Sequence, residues 1–318
     1  LRVARGSDAG ATVAPLRADV ALLTERRYAT DSAAADDWYL GNILRDDDLL
    51  IGALSRRGLS AVRVDWARDD VDWSAFRTAV FRTTWDYFDR FGEFMAWLGR
   101  AEPLTRLCNS ASVIRWNLDK HYLRDLAARG VPVVPSRFLE RGQPASLADL
   151  LGETGWSEAV IKPCVSGAAR HTYRLNRSTA AAVQRVIDPL LACESFLLQP
   201  FVSDVVTTGE DTLVAIAGRV THGLRKRVKA GDFRVQDDHG GTVHPLEPSA
   251  EQVAFAERAL AACDEVPAYG RVDLVRLDDG SLAVMELELV EPELWLRLHP
   301  PAADAMAAAI AARISADS

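Results

Sequence analysis

The sequence predicts a mixed α/β (α+β) protein, with a small parallel α/β unit first and a larger strand-and-helix region after it. Three observations predict this. Short apolar runs alternate with helix-period segments over about the first hundred residues, the pattern of a parallel sheet. Asp279-Gly280 separates two strand-like runs, a strong hairpin signal. An alanine-rich helical segment begins near Ala302 and closes the chain.

Taken in order, residues 20–24 are a short apolar run that fits a first buried strand, and residues 28–37 read as a loop. Residues 46–57 mix acidic and apolar side chains at helical spacing and stop at Gly58. Residues 60–64 and 79–82 read as strands and 88–98 as a helix. Residues 117–129 form one amphipathic helix ended by Gly130. Strands follow at 158–162, 196–199 and 213–216, with a helix at 179–191 between the first two. A basic, glycine-containing stretch then runs to Gly241, and residues 250–263 read as a helix.

Bulk composition excludes several functions. A formal charge of -8 leaves no basic excess to neutralise phosphates, which argues against nucleic acid. The four cysteines are scattered with no CxxC pair, so neither a disulfide framework nor a zinc site is expected and a reducing cytoplasm is the simple reading. No apolar run approaches the roughly 20 residues of a membrane span. Residues 1–18 read as a flexible leader without a signal peptide's apolar centre.

The hairpin carries the chemistry. A two-residue turn at Asp279-Gly280 sets Asp278 opposite Ser281, Val275 opposite Val284, Asp273 opposite Glu286 and Arg271 opposite Glu288. Leu274, Met285, Leu287 and Leu289 then share the other face. Carboxylates directly opposed on a sheet repel, and Glu288 adds a third about 7 Å along the strand. Three hard oxygen donors on a rigid hairpin suit Mg²⁺ shared with substrate phosphates. The bland alternative is a solvated face on which Arg271 pairs with Glu288.

Upstream, Lys162 ends a strand and precedes a small-residue loop containing Ser166 and Gly167, a place where an ammonium and backbone N–H groups can meet phosphates. Lys120 at a helix start opposes the macrodipole unless an anion is bound. Gln199, Pro200, Phe201 and Val202 follow a buried strand, and the proline there frees a carbonyl that can read an adenine edge. Lys226, Arg227 and Arg234 flank Gly231, and their donors suit phosphate or an acyl phosphate.

Together these segments resemble the ATP-grasp superfamily from about Arg115 to the end. RVDLV…MELE (271–288) is similar to the Arg-x-Asp and Glu-x-Asn pattern of D-alanine–D-alanine ligases. KRVKAGDFRVQDDHGG (226–241) is similar to the branch of ribosomal-protein S6 glutamate ligase and bacterial glutathione synthetase. NLDK at 117–120, IKP at 161–163 and LLQPFV at 197–202 keep the order and spacing. The resemblance implies an ATP-grasp fold behind a small parallel N-terminal domain, binding ATP and two Mg²⁺ ions, with Mn²⁺ as a substitute. It implies Lys120 and Lys162 at phosphates, residues 199–202 at adenine, and Glu210 or Asp211 at the ribose. Asp273, Glu286 and Glu288 hold metal, and Arg271 and Arg234 face the transferring phosphate and the oxyanion. Two departures stand out: Glu288 replaces the usual Asn, and the loop after Lys162 is poor in glycine.

FRTTWDYF (81–88) and WNLDK also resemble the cyclo-ligase of cycloserine biosynthesis, with Arg82, Trp85 and Tyr87 toward substrate; Trp85 and Tyr87 as interdomain packing is the alternative. Expected boundaries are 19–110 for the N-terminal domain, 111–198 for a central subdomain and 199–318 for a C-terminal subdomain with the metal. The expected activity is ATP-dependent joining of a small carboxylate to an amine, with an intramolecular cyclo-ligase, a non-catalytic nucleotide binder and a kinase as rivals. Substrates are the expected partners, and a homodimer is compatible with the resemblance.

Overall fold

The computed structural model describes residues 17–229 and 240–315. Arg234 and residues 1–16 of the expected leader lie outside the described residues. The chain runs through β1 (Val20–Thr24), α1 (Trp38–Ser55), β2 (Ala61–Asp65), β3 (Thr78–Thr83), α2 (Phe91–Ala101) and β4 (Arg106–Cys108). These strands form a parallel sheet of order β2-β1-β3-β4. β1 and β3 are buried throughout, as central strands covered on both faces must be. Helix α1 starts eight residues before the expected Asp46, capped by Asp37, whose side chain accepts from Leu40 N–H at 3.0 Å. Asp46 and Asp47 lie in its interior, both buried. Their charges hide the apolar stripe in the sequence.

Next come α3 (Ala111–Asn117) and α4 (Tyr122–Ala128) where one helix was expected. The break has a local cause. Asp119 Oδ1 accepts from His121 N–H (3.0 Å), and Lys120 N–H donates to Cys164 O (2.9 Å) instead of continuing a helical ladder. A second, antiparallel sheet follows from β5 (Arg137–Leu139), β6 (Glu158–Pro163), β7 (Tyr173–Asn176) and β8 (Phe196–Pro200), in order β5-β8-β6-β7. Helices α5 (Leu147–Thr154) and α6 (Ala180–Leu191) cover one face through Leu151, Ile187 and Leu191.

The short α7 (Asp204–Thr207) leads into β9 (Glu210–Ile216), β10 (Arg219–Arg227) and β11 (Thr242–Leu246). Helix α8 (Ala250–Ala261), the hairpin β12 (Tyr269–Arg276) and β13 (Leu282–Glu288), and α9 (Pro301–Ser315) complete the chain. The third sheet has order β11-β10-β9-β12-β13. β10 falls in the basic, glycine-containing stretch to which the sequence assigns no element. Its pairing uses those charges: Arg225 opposite Asp211 and Lys226 opposite Glu210 on β9.

The hairpin corrects the expected turn. Leu277 N–H donates to Ser281 O (2.9 Å) and Gly280 N–H to Leu277 O (2.8 Å), so the loop holds residues 278–280, with Gly280 at φ +81°. This shifts the pairing by one residue, giving Val275 opposite Ala283 and Leu274 opposite Val284. A bulge at Met285 takes the shift back, and Asp273 faces Glu286 and Arg271 faces Glu288 as expected. The bulge also turns Met285 into the cavity described below, away from the expected apolar face.

Helix α9 returns to the N-terminal sheet, packing Met306, Ala307 and Ile310 against Leu50, Ala53 and Leu54 of α1 in a core that also holds Val214 and Ile216 of β9. Tyr269 OH lies 3.1, 2.9 and 3.0 Å from the carbonyls of Phe81, Cys108 and Val290. Asn109 donates to Tyr269 O (2.9 Å) and Leu289 O (2.8 Å) and accepts from Ala268 N–H (2.5 Å). Among the described residues no helix is long and apolar enough to cross a membrane.

One buried histidine gives this core a pH signature. His222 Nε2 donates to Leu294 O (3.1 Å), and the ring stacks on His299 at 4.8 Å. Burial, reinforced by His299, pulls the ring down from 6.5 to about 4. The unfolded chain therefore takes up this proton first as pH falls, and stability drops from about pH 6.5 to about pH 4, by about 3 kcal/mol. Unfolding midpoints of His222→Gln and the parent across that range should show the slope flattened in the variant; parallel slopes would remove His222 as the cause.

Candidate active site

A cavity of about 770 Å³ lies where the three sheets meet. The second sheet and its loops contribute Lys162, Ser166, Gly167 and the run Gln199, Pro200, Phe201 and Val202. The third contributes Glu210, Lys226, Arg271, Asp273, Glu286 and Glu288. Lys120 enters from the break between α3 and α4, and Trp85 and Tyr87 from beyond β3. Residues spread over some two hundred positions thus share one wall.

The strands explain who points where. β12 and β13 place Arg271, Asp273, Glu286 and Glu288 on one face, and Lys226 of β10 and Glu210 of β9 extend it. The outer edge of β13 is fastened so that this face stays turned inward. Asn117 donates to Leu287 O (2.8 Å) and accepts from Leu289 N–H (2.6 Å), and Tyr122 OH accepts from Leu287 N–H (2.9 Å). Val284 exchanges backbone bonds with Pro132 and Val134, each 3.0 Å.

Each acid of the expected metal set is met by a cation of the protein. Glu286 lies 3.0 Å from Lys120 Nζ and 3.8 Å from Lys162 Nζ. Asp273 takes Arg271 through two bonds (3.0 and 2.9 Å), Lys226 Nζ at 2.8 Å and Thr212 Oγ1 at 2.8 Å. Glu288 pairs with Arg271, and Glu210 with Lys226 at 2.5 Å. The repulsion inferred from the sequence is thus offset internally, and the bland pairing of Arg271 with Glu288 coexists with the cluster. Asp273, Glu286 and Glu288 line one cavity with hard oxygen donors, the type a divalent cation such as Mg²⁺ takes, although with the protein's own cations between them the three do not converge within 4.8 Å of one another.

Burial sharpens these charges. For Asp273 burial would raise the carboxyl, but Arg271 and Lys226 outweigh it and hold it well below the usual range. Glu286 is likewise lowered against burial, to about 2, by Lys120 and Lys162. Burial lifts Glu288 to about 7, with Asp273 and Glu286 adding to the rise and Arg271 opposing it. Burial pulls Lys162 below its ordinary value, with Glu286 opposing and neighbouring Lys120 adding to the fall. Two crowded ammonium groups of this kind favour a polyanion between them.

Arg82, Asp211 and Arg227 fall elsewhere, and Phe201, Tyr87 and Trp85 line the cavity while also bonding or packing within the protein. Arg82 is buried beside α1, its Nε donating to Asp47 Oδ1 at 3.0 Å, and does not line the cavity; it was read as projecting from a strand end, but its side chain turns into the sheet–helix layer. Asp211 faces α8, bonded to Arg225 (2.6 and 2.9 Å) and Gln252 (2.7 Å), so alternation along β9 selects Glu210 for the cavity. Arg227 is exposed at the end of β10. The Phe201 N–H is committed to Glu158 O at 3.0 Å. Tyr87 belongs to the aromatic core, with its ring 5.2 Å from that of Phe94, and Trp85 stacks edge-on with Tyr28 while donating to Glu291 O at 3.0 Å.

The sequence reading missed Tyr28, Tyr39, Asn117, Glu291 and Trp295, which also line the cavity. Glu291 and Trp295 follow β13 in LVEPELW, an acid-rich continuation of the metal-set strand that was a usable signal. Burial, with Glu288 nearby, lifts Glu291 to about 8.

Residues 20–109 match the family described as the N-terminal domain of D-cycloserine synthetase DcsG. The cycloserine biosynthesis protein DcsG of Streptomyces lavendulae is 37% identical over 283 residues, 83% of this chain and 92% of that protein. A crystal structure of D-cycloserine synthetase DcsG superposes with a TM-score of 0.81 at 33% identity, covering 93% of this chain and 99% of that one. The D-alanine–D-alanine ligase of Bacillus anthracis shares the fold, with a TM-score of 0.64 at 15% identity over 93% of this chain and 96% of its own. From the shared sheets to the cavity they enclose, the chain belongs to the ATP-grasp ligases, in the family of the cycloserine biosynthesis protein DcsG.

Proposed function

We propose that this ATP-grasp ligase activates the carboxylate of a small amino-acid-derived molecule and closes a ring with a nitrogen of the same molecule. The observation that carries this reading is the likeness to the cycloserine biosynthesis protein over 92% of that protein's length, N-terminal substrate-side unit included. The cavity agrees in scale: about 770 Å³ is within the roughly 300–1,000 Å³ usual for small-molecule sites.

Two steps make up the reaction. A carboxylate oxygen attacks the γ-phosphorus of ATP, and ADP leaves with the bridging oxygen. The nitrogen then attacks the acyl carbon, phosphate departs with the C–O bonding electrons, and the nitrogen loses a proton. In this reading Lys120 and Lys162 take phosphate oxygens, exchanging Glu286 for the nucleotide. Ser166 and Gly167 border the phosphates, residues 199–202 hold the adenine and Glu210 the ribose. Asp273, Glu286 and Glu288 hold the divalent cations, two in number, which neutralise charge on the transferring phosphoryl group when bound. Arg271 faces the oxyanion of the tetrahedral intermediate. The aromatic wall of Tyr28, Tyr39 and Trp85, with Glu291, accepts the substrate's uncharged and amine-bearing parts.

A screen for ADP release across amino acids and their O- and N-acyl derivatives, followed by product mass, tests this. Ring closure gives one substrate minus water. A product joining two substrates would replace this reading with intermolecular amide formation, and hydroxylamine that traps no hydroxamate would remove the acyl phosphate.

A further inference from the structure

Outside the acid wall, three metal-ligand side chains converge beside Lys120. Asp119, His121 and Cys164 bring a carboxylate oxygen, a ring nitrogen and a thiol sulfur within 4.8 Å of one another. The chain path explains the meeting. Asp119 and His121 flank Lys120 in the break between α3 and α4, and Cys164 directly follows β6, with its carbonyl bound to the Lys120 N–H at 2.9 Å.

The imidazole is oriented before any ligand arrives. Asp119 Oδ1 stands 2.6 Å from His121 Nδ1, and the ring stacks on Phe138 at 4.4 Å. Its Nε2 is buried with no hydrogen-bond partner. Glu140 Oε1 stands 3.4 Å from that nitrogen and is shared with Arg124 at 3.2 Å. A carboxylate at one ring nitrogen, here Glu140 at Nε2, with the other nitrogen turned to further donors, here Nδ1 toward Asp119, is how proteins present histidine to a metal. Sulfur and imidazole donors disfavour Mg²⁺ and suit Zn²⁺.

We propose that Asp119, His121 and Cys164 form a site for Zn²⁺ or a similar thiophilic divalent cation, the imidazole binding through Nδ1 on the side of Asp119, with Glu140 behind the ring at Nε2. The site is separate from the acids of β12 and β13. A thiol gives up its proton to become a metal ligand, so the ion displaces a proton on binding and its affinity rises with pH; burial holds the free Cys164 thiol well above its ordinary value. Lys120 lies between two of the ligands and Lys162 two residues before the third. A bound ion therefore tethers both segments that carry the cavity's lysines.

The test is Zn²⁺ affinity of the full chain, by competition with a chromophoric chelator in excess Mg²⁺, with Co²⁺ absorption as a second readout. One equivalent of Zn²⁺ is expected. Cys164→Ser and His121→Ala should each weaken binding on the order of tenfold or more, while Cys193→Ser and Glu286→Gln leave it unchanged. The Co²⁺ form should show thiolate charge-transfer absorption that Cys164→Ser abolishes. Equal affinity in the parent and both ligand variants would overturn the proposal, as would loss of Zn²⁺ in Glu286→Gln, which assigns the ion to the acid wall. Neither readout needs ADP formation, so this proposal and the ligase reading can fail independently.

Discussion

Glu286→Gln is expected to lower kcat for ADP release on the order of 10³-fold, with the fold intact. The substitution keeps the shape of the side chain and removes its charge. Glu286 faces Lys120 at 3.0 Å and Lys162 at 3.8 Å and stands opposite Asp273 on the neighbouring strand. It thus sits between the proposed phosphate cations and the proposed metal set. Losing it deprives the metal of a hard donor and leaves both lysines without their carboxylate. Steady-state ADP release at saturating Mg-ATP, with thermal unfolding as a check on folding, measures the effect. Near-normal turnover would remove Glu286 from the metal site.

The second large effect is on stability. Asn109→Ala should cost about 3 kcal/mol or more, because it strips the partner from one buried N–H and two buried carbonyls while adding no apolar contact. For a chain of this size that is a fall of several degrees or more in Tm. Differential scanning of parent and variant reads it directly. An unchanged midpoint would mean that water reaches the Tyr269 and Leu289 carbonyls in place of the amide.

Much of the fold and site was legible in the sequence, and the failures share a cause. Asp273, Glu286, Glu288 and Arg271 could be placed on one face because alternation along a strand is strict. That placement survived a wrong turn because a three-residue loop and a bulge at Met285 cancel. Counting back from a turn detects neither alone, and Met285 consequently went to the wrong face. α1 was read eight residues short because Asp46 and Asp47 look like solvent-facing acids. Their partners, Arg297 and Arg82, come from elsewhere in the chain. The same non-local pairing took Arg82 out of the cavity. β10 was missed because its charges are matched only across the sheet, Arg225 by Asp211 and Lys226 by Glu210. Local periodicity found what local sequence decides; pairing between distant segments decided the rest.

Helix α9 and the Tyr269 hydroxyl carry a mechanical implication. By packing the last helix on the first, and by stitching Phe81 and Cys108 to Val290, the chain rivets its opening sheet to its closing one. The β5-β8-β6-β7 layer takes no part in these two fastenings and meets the closing sheet in a second core through Leu197 and Phe138, with the cavity between them. Lys162 and residues 199–202 thus face the acids from a layer fastened separately, so the width of the cavity follows from the contact of that layer with the closing sheet.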